Sequence, residues 1–236
     1  MSYRQHNALF STPENRLTPK NLANLLGWWR ADAGITLATG VSAWADQSGN
    51  GATLSQATGT AQPTYLAVNG GSAFGGMPAL SFASASTQTL ANGTFATPNP
   101  STAYFAAAFS VATGTHGVFS DSAGTQIGAL ITGGNDEITA GAFLATSGGA
   151  STSAAVWCAA FNGATSALYI NSSSAAVASG NAGTNTGTSL SVGGSVGLGY
   201  MQGQIAELFI FSGAHTAAQR QQMMLYLGSR YLIGVS

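Results

Sequence analysis

The stretch Glu207-Leu208-Phe209-Ile210-Phe211, followed after Ser212 to His215 by Thr216-Ala217-Ala218-Gln219, decides the fold. In extended chain, successive side chains point to opposite faces. Leu208 and Ile210 therefore share one face and Phe209 and Phe211 the other, so both faces are apolar. A strand that is apolar on both sides needs cover on both sides. The next segment supplies one cover: Thr216 to Gln219 fits a capping box, and Met223, Met224, Leu227 and Tyr231 recur at helical spacing. This predicts a helix over Thr216 to Tyr231 lying against the last strand, with its methionines as packing residues.

Upstream, the pattern is one of runs of about four to eight residues bounded by Gly, Asn, Ser or Pro. They are Trp28 to Ala31, Ala61 to Val68, Ala79 to Ala83, Ala103 to Ala112, Gly117 to Ser120, Gln126 to Thr132, Ile138 to Ala145, Ala154 to Phe161, Ser166 to Asn171, Ser189 to Val192 and Gln204 to Phe211. Asn162-Gly163, set between two of these runs, signals a hairpin. Many short strands with glycine-rich turns, and no alternation with long helices, indicate an all-β sandwich or barrel. Thr18-Pro19 is an N-cap followed by proline at the first helical position, and Gly27 sits where a helix would stop, which predicts a short helix over Pro19 to Leu26. Met1 to Leu17 is polar and without period, so the chain divides into an N-terminal arm (1–17) and a single domain (18–236).

Charge is scarce and unevenly placed. Only 6% of the 236 residues are charged, against about a quarter in an ordinary soluble domain. Arg4, Arg16, Lys20 and Arg30 lie near the start and Arg220 and Arg230 near the end. The interval between holds Asp32, Asp46, Asp121, Asp136, Glu137 and Glu207 and no Lys or Arg. Displacing the counterions of a nucleic acid needs several cations, and clamping a phosphate or carboxylate substrate usually needs one. Neither function is expected of the body of this protein. Ala, Gly, Ser and Thr make up 126 residues, more than half the chain, and side chains this small suit closely packed strands and tight turns.

Cys158 is the single cysteine, so no internal disulfide can form. Its place beside Trp157 in a strand-like run reads as a buried, inert thiol. The opening residues lack the apolar core of a secretory signal, and the longest apolar-rich stretch, Tyr104 to Ala112, is about half a membrane span. No membrane association is expected.

Three segments together resemble the concanavalin A-like, laminin G-like jelly roll, in the variety found in virion structural proteins of tailed bacteriophages. They are Leu25-Leu26-Gly27-Trp28-Trp29-Arg30-Ala31-Asp32 with Trp44-Ala45-Asp46-Gln47-Ser48-Gly49-Asn50-Gly51; the pair Trp157 to Phe161 and Ala167 to Asn171; and Gly203 to Phe211 followed by the capped helix and Tyr226 to Tyr231. The resemblance runs from about Asn24 to Ile233. It implies a jelly-roll β-sandwich with a short N-terminal helix and a C-terminal helix packed on it. It implies nothing so definite about function, because this fold hosts lectins, glycosidases, adhesion modules and structural subunits.

Candidate sites follow from residue chemistry. Asp46 suits an Asx-type turn, with Gly49 and Gly51 free to take positive φ. Asp46, Ser48 and Asn50 also offer oxygens at alternate positions, as calcium would require, but without the further carboxylates of a tight site. The cluster Asn135, Asp136 and Glu137 is the better calcium candidate, set against a solvated loop. Trp44, Tyr65, Asn135 and Asp136 are of the kinds that stack on sugars and bond their hydroxyls, and each is equally explicable as core or turn. The basic arm, with Tyr3, Arg4, Leu9, Phe10, Arg16 and Lys20, suits docking onto an acidic partner subunit.

Catalysis fails by inventory. Glycosidases of this fold family use paired acids in Glu-x-Asp-x-Glu or Glu-x-Asp-x-x-Glu, and Glu207 has no acidic neighbour in sequence. No Gly-x-Ser-x-Gly elbow or nucleotide-binding loop is present, so His6, His116 and His215 have no evident nucleophile to serve. The expected role is therefore non-enzymatic: a structural or surface-display protein of a virion (head decoration, tail or baseplate), assembled in the host cytoplasm. Its expected partners are other virion proteins, copies of itself and a host surface glycan, with no resident cofactor. The alternative is a free lectin-like module.

Overall fold

The computed structural model describes residues 17–121, 127–147 and 149–236. The arm residues Tyr3, Arg4, Leu9, Phe10 and Arg16 lie outside them. The strand Gly203–Ser212 is the axis of the first sheet. Along one edge it pairs antiparallel with Ser101–Phe109. Along the other it pairs with Ala79–Phe82 through Gly203 to Ile205, then with Leu25–Arg30 through Glu207 to Phe211. Ala155–Phe161, Ser166–Ile170 and Ala178–Gly180 extend this sheet beyond Ser101–Phe109, and Thr64–Leu66 closes its other side.

The second sheet runs in the order Phe143–Ala145, Asn135–Thr139, Gly128–Thr132, Thr115–Ser120, Leu190–Val192, Leu90–Asn92, Leu54–Ser55, Val41–Trp44 and Ile35–Leu37. Gly194–Ser195 and Gly199–Tyr200 pair with each other as a separate two-stranded ribbon. This is an all-β sandwich of jelly-roll type with one C-terminal helix, Ala217–Tyr231. Among the described residues no helix is long and apolar enough to cross a membrane.

Strand alternation builds two cores. In Ser101–Phe109, Ala103, Phe105, Ala107 and Phe109 face the space between the sheets, while Tyr104, Ala106 and Ala108 face the helix. Small residues at alternate positions let Trp29, Trp44 and Trp157 fill the inter-sheet space, all fully buried. On the helix side Met223, Met224, Leu227 and Tyr231 pack on Tyr104, Phe209 and Phe211. Each such side chain contributes about 1.5–3 kcal/mol on burial. The helix begins as the sequence predicts: Thr216 caps it and accepts from the Gln219 amide. The hairpin at Asn162 forms as well, its turn passing through Gly163 at φ +56°.

The N-terminal expectation is corrected. Only Pro19–Asn21 is helical, a single 3-10 turn closed by Thr18 and Asn21, and exposed Lys20 sits on it. Asn24 at φ 66° then turns the chain into the strand Leu25–Arg30. Trp28 and Trp29 decide the matter, because extended backbone sends one ring to each core. The run Ile138 to Ala145 is likewise two strands, Asn135–Thr139 and Phe143–Ala145, joined by a turn.

One irregularity sets the outer face of the first sheet. Ile205 and Glu207 are two apart and would share a face in a regular strand. A bulge between them leaves Ala206 as the extra residue, so Ile205 enters the inter-sheet core and Glu207 turns towards the helix. There the carboxylate is fully buried. Its Oε1 accepts from the Trp28 indole (2.6 Å) and the Tyr226 hydroxyl (2.8 Å), and its Oε2 from the Tyr231 hydroxyl (2.7 Å) and Arg230 Nε (3.1 Å). Arg230 also pairs with Asp32, which pairs with Arg30. Burial pushes the Glu207 carboxyl above the usual range, while Arg230 and the three neutral donors pull it back. Removing one member of a buried pair strands the other, at roughly 3–5 kcal/mol. Because Asp32 keeps part of Arg230's pairing, Glu207→Gln is expected to destabilise the domain by about 3 kcal/mol, read as a lower urea midpoint at unchanged slope.

Candidate functional site

The turn at Asp46 is a staple. Asp46 Oδ1 accepts from the amides of Trp28 (2.9 Å) and Ser48 (2.8 Å), and Oδ2 from the Ser48 hydroxyl (2.6 Å) and the Ala52 amide (3.1 Å). Asn50 donates its side-chain amide to the Leu25 and Leu26 carbonyls. Burial alone would raise the Asp46 carboxyl, but these donors outweigh it and hold the group below its ordinary value. Every oxygen that the calcium alternative would need at Asp46 already receives an N–H or O–H. The motif fixes the loop to the first strand.

The second calcium candidate is divided by the backbone. Asn135, Asp136 and Glu137 form a strand rather than a loop, so Asp136 and Glu137 point to opposite faces. Asp136 lies opposite Ile131 on the inner face and accepts from the Ser151 amide. Glu137 lies opposite Leu130 on the outer face. Among the described residues no group of three His, Cys, Asp or Glu gathers to hold a metal ion.

The four sugar-binding candidates also scatter. Trp44 is wholly buried, its indole donating to the Arg30 carbonyl, and has no free ring face. Tyr65 lines a shallow concavity with Asp32, Ile35 and Leu37 and belongs to the first sheet, whereas Asn135 and Asp136 belong to the second. Cys158 is fully buried, and burial pushes its thiol up to about 12. His215 bonds the Tyr104 hydroxyl at 2.8 Å, and burial lowers it to about 4.

What the structure does assemble is a groove of about 430 Å³ on the outer face of the second sheet, lined by Thr115, Leu130, Thr132, Glu137, Phe143, Gly197 and Leu198. Cross-strand register gathers them: Thr132 lies opposite both Thr115 and Asn135, Leu130 opposite Glu137, and Phe143 opposite Thr139 on the edge strand. The Thr115 and Thr132 hydroxyls bond each other at 2.9 Å. The Phe143 ring is 61% exposed. Glu137 is 7% exposed, and its Oε2 is buried without a hydrogen-bond partner; burial raises its carboxyl above the ordinary range.

The far wall comes from the Gly194–Tyr200 ribbon, which lies flat on the sheet because no Cβ intervenes. A Cβ on Gly117 would come within 3.0 Å of Gly194 Cα, and one on Gly199, at φ +69°, within 2.1 Å of the Thr115 carbonyl. This wall is not among the sites expected from the sequence; the glycine density from Gly193 to Gly199 is the feature that marks it. A second concavity, about 260 Å³ and lined by Leu17, Gln221, Gln222, Leu225, Tyr226 and Ser229, runs along the helix and presents apolar and amide groups.

No protein-family model matches this chain, and no curated protein matches its sequence. Solved structures do match. Domain 4 of AbnA, a GH43 extracellular arabinanase from Geobacillus stearothermophilus, in complex with arabinotriose, aligns at 15% identity and TM-score 0.60, over 85% of this chain and 98% of that one. The binding domain of Paraclostridial Mosquitocidal Protein 1 aligns at 12% identity and TM-score 0.55, over 88% of this chain and 52% of that one. A Trypanosoma rangeli sialidase aligns at 11% identity and TM-score 0.52, over 91% of this chain and 34% of that one. The likeness is one of fold. It sets the chain among β-sandwich domains of jelly-roll type and gives no residue a role.

Two outcomes are expected. Gly199→Ala should lift the ribbon and lower stability by about 1–3 kcal/mol, seen as a reduced melting temperature. Asp136 is raised by burial from the ordinary 3.8 to about 6, the Ser151 amide opposing. A raised carboxyl favours the folded state most below its unfolded value, and that contribution is lost as pH rises through about 6. Asp136→Asn should therefore remove a decline in stability on the order of 1 kcal/mol between pH 4 and pH 7, measured by urea unfolding across that range.

Proposed function

We propose that this chain is a non-enzymatic recognition and display domain, carried as a structural subunit of a tailed-phage particle and binding glycan on the host surface through the groove beside Glu137 and Phe143. The groove carries the reading: an exposed aromatic ring, two hydroxyls and an under-satisfied carboxyl face one concavity, the combination that holds a sugar by its carbon face and its hydroxyls. The absence of catalysis is supported by the positions of the carboxylates. Glu207 is spent on four internal donors under the helix, and Glu137 faces out from the opposite sheet, so the two form no acid and nucleophile pair. One structural neighbour is a complex with arabinotriose and another is a binding domain, and both agree with a binding role.

The particle setting rests on the three segments of sequence resemblance and on the charge layout. A surface with Val196 at 87%, Val68 at 64% and Leu37 at 58% exposure and few charges is poorly protected against association. That surface suits a subunit packed among capsid or tail proteins and copies of itself. The basic arm suits an acidic neighbour in the same assembly.

Labelling purified particles with antibody against this domain tests the setting. Label on intact particles is expected, and deletion of Met1 to Leu17 should abolish incorporation while leaving the domain folded. A domain absent from particles that still binds glycan would be a free lectin-like module instead.

A further inference from the structure

We infer that the groove selects neutral saccharides, whose hydroxyls donate to Glu137 while a carbon face lies on Phe143, and that it rejects sugars bearing carboxylate, sulfate or phosphate. This deepens the proposed glycan-binding role and rests on it.

The selection follows from what the groove holds and lacks. Glu137 lines it while nine-tenths buried, with one carboxyl oxygen closed off from water and lacking a donor. A sugar hydroxyl is no smaller than water and does not reach Oε2; it donates to Oε1, the carboxyl oxygen that is not closed off, and a hydrogen bond to a charged group is stronger than one between neutral groups. The Thr115 and Thr132 hydroxyls bond each other and so use one proton between them; the other proton and the remaining lone pairs can meet a second sugar hydroxyl. Leu130, Leu198 and the exposed Phe143 ring supply an apolar floor and rim for the C–H face of a pyranose or furanose ring.

Among the described residues that line the groove there is no Lys or Arg to meet an anionic sugar. The strands and the ribbon that build the groove lie within residues 115–200, inside the interval from Ala31 to Gln219 that contains no Lys or Arg. An acidic saccharide would bring its charge beside Glu137 with nothing to neutralise it. Like charges at short range in a partly desolvated site are repelled strongly enough to fix specificity. A site lacking Arg also forgoes the bidentate pairing by which carboxylate and phosphate are usually held.

The test is titration calorimetry of the full chain. The neutral probes are arabino-, xylo-, gluco- and galacto-oligosaccharides. The acidic probes are oligogalacturonate, sialyllactose and heparin fragments. At least one neutral series should bind and the acidic ones should not. Glu137→Gln and Phe143→Ala should each weaken that binding about tenfold or more, with melting temperatures confirming that both variants fold. Equal or tighter binding of acidic saccharides would overturn the inference and leave a glycan-binding domain standing. Neutral binding that survives both substitutions would place recognition elsewhere and overturn it too. Failure of every saccharide class to bind would remove the glycan role itself.

Discussion

A single buried carboxylate organises the outer half of this molecule. Glu207 receives Trp28 from the first strand and Tyr226, Arg230 and Tyr231 from the helix, and it projects from the last strand. It can reach the helix only because the bulge at Ala206 reverses the phase of its strand. Asp46 then holds the backbone of Trp28, so the turn, the first strand, the last strand and the helix are linked through two carboxylates. An apolar residue at 207 would pack as well but would not fix which turn of the helix faces the sheet. Directional bonds to a charge set that register, and the Trp28 indole and the Arg230 guanidinium, which donate but cannot accept, favour its ionised form.

How much of this could be read from the residues depends on how far each feature is local. Glu207 to Phe211 is apolar on both faces and demands two cores, and Thr216 with Gln219 caps a helix whatever lies around it. Both features appear where the sequence predicts them. Short strands such as Leu54–Ser55 and Leu90–Asn92 have no pattern of their own and form because a neighbour offers unpaired backbone. The N-terminal helix starts at Pro19 as predicted but stops at Asn21 rather than Leu26, for a related reason. Thr18-Pro19 is a sound start signal, but burial of Trp28 and Trp29 in two different cores outweighs local propensity within one turn.

The groove illustrates a harder limit. Thr115, Thr132, Glu137 and Phe143 are separated in sequence and become neighbours only through strand register. Aromatic type alone is equally ambiguous. Trp44 fits a sugar platform on chemical grounds and is buried, whereas Phe143, in a short and unremarkable run, keeps its ring at the surface. Charge was more telling, because a residue type absent from the sequence interval is absent from any site built within it. The missing Lys and Arg limit the groove's ligands regardless of how the strands pair.

The pairing of Leu25–Arg30 with Glu207–Phe211 also governs how the molecule comes into being. The partners stand at opposite ends of the domain, and the clasp is complete only with Arg230 and Tyr231. A chain emerging from the ribosome must hold its first strand, with both tryptophans exposed, until almost the whole domain has been synthesised. Closing so long a loop demands entropy before any contact repays it, which makes the final step slow and strongly cooperative. Until then the unpaired edge of the first strand is the part of the chain most open to capture by another copy.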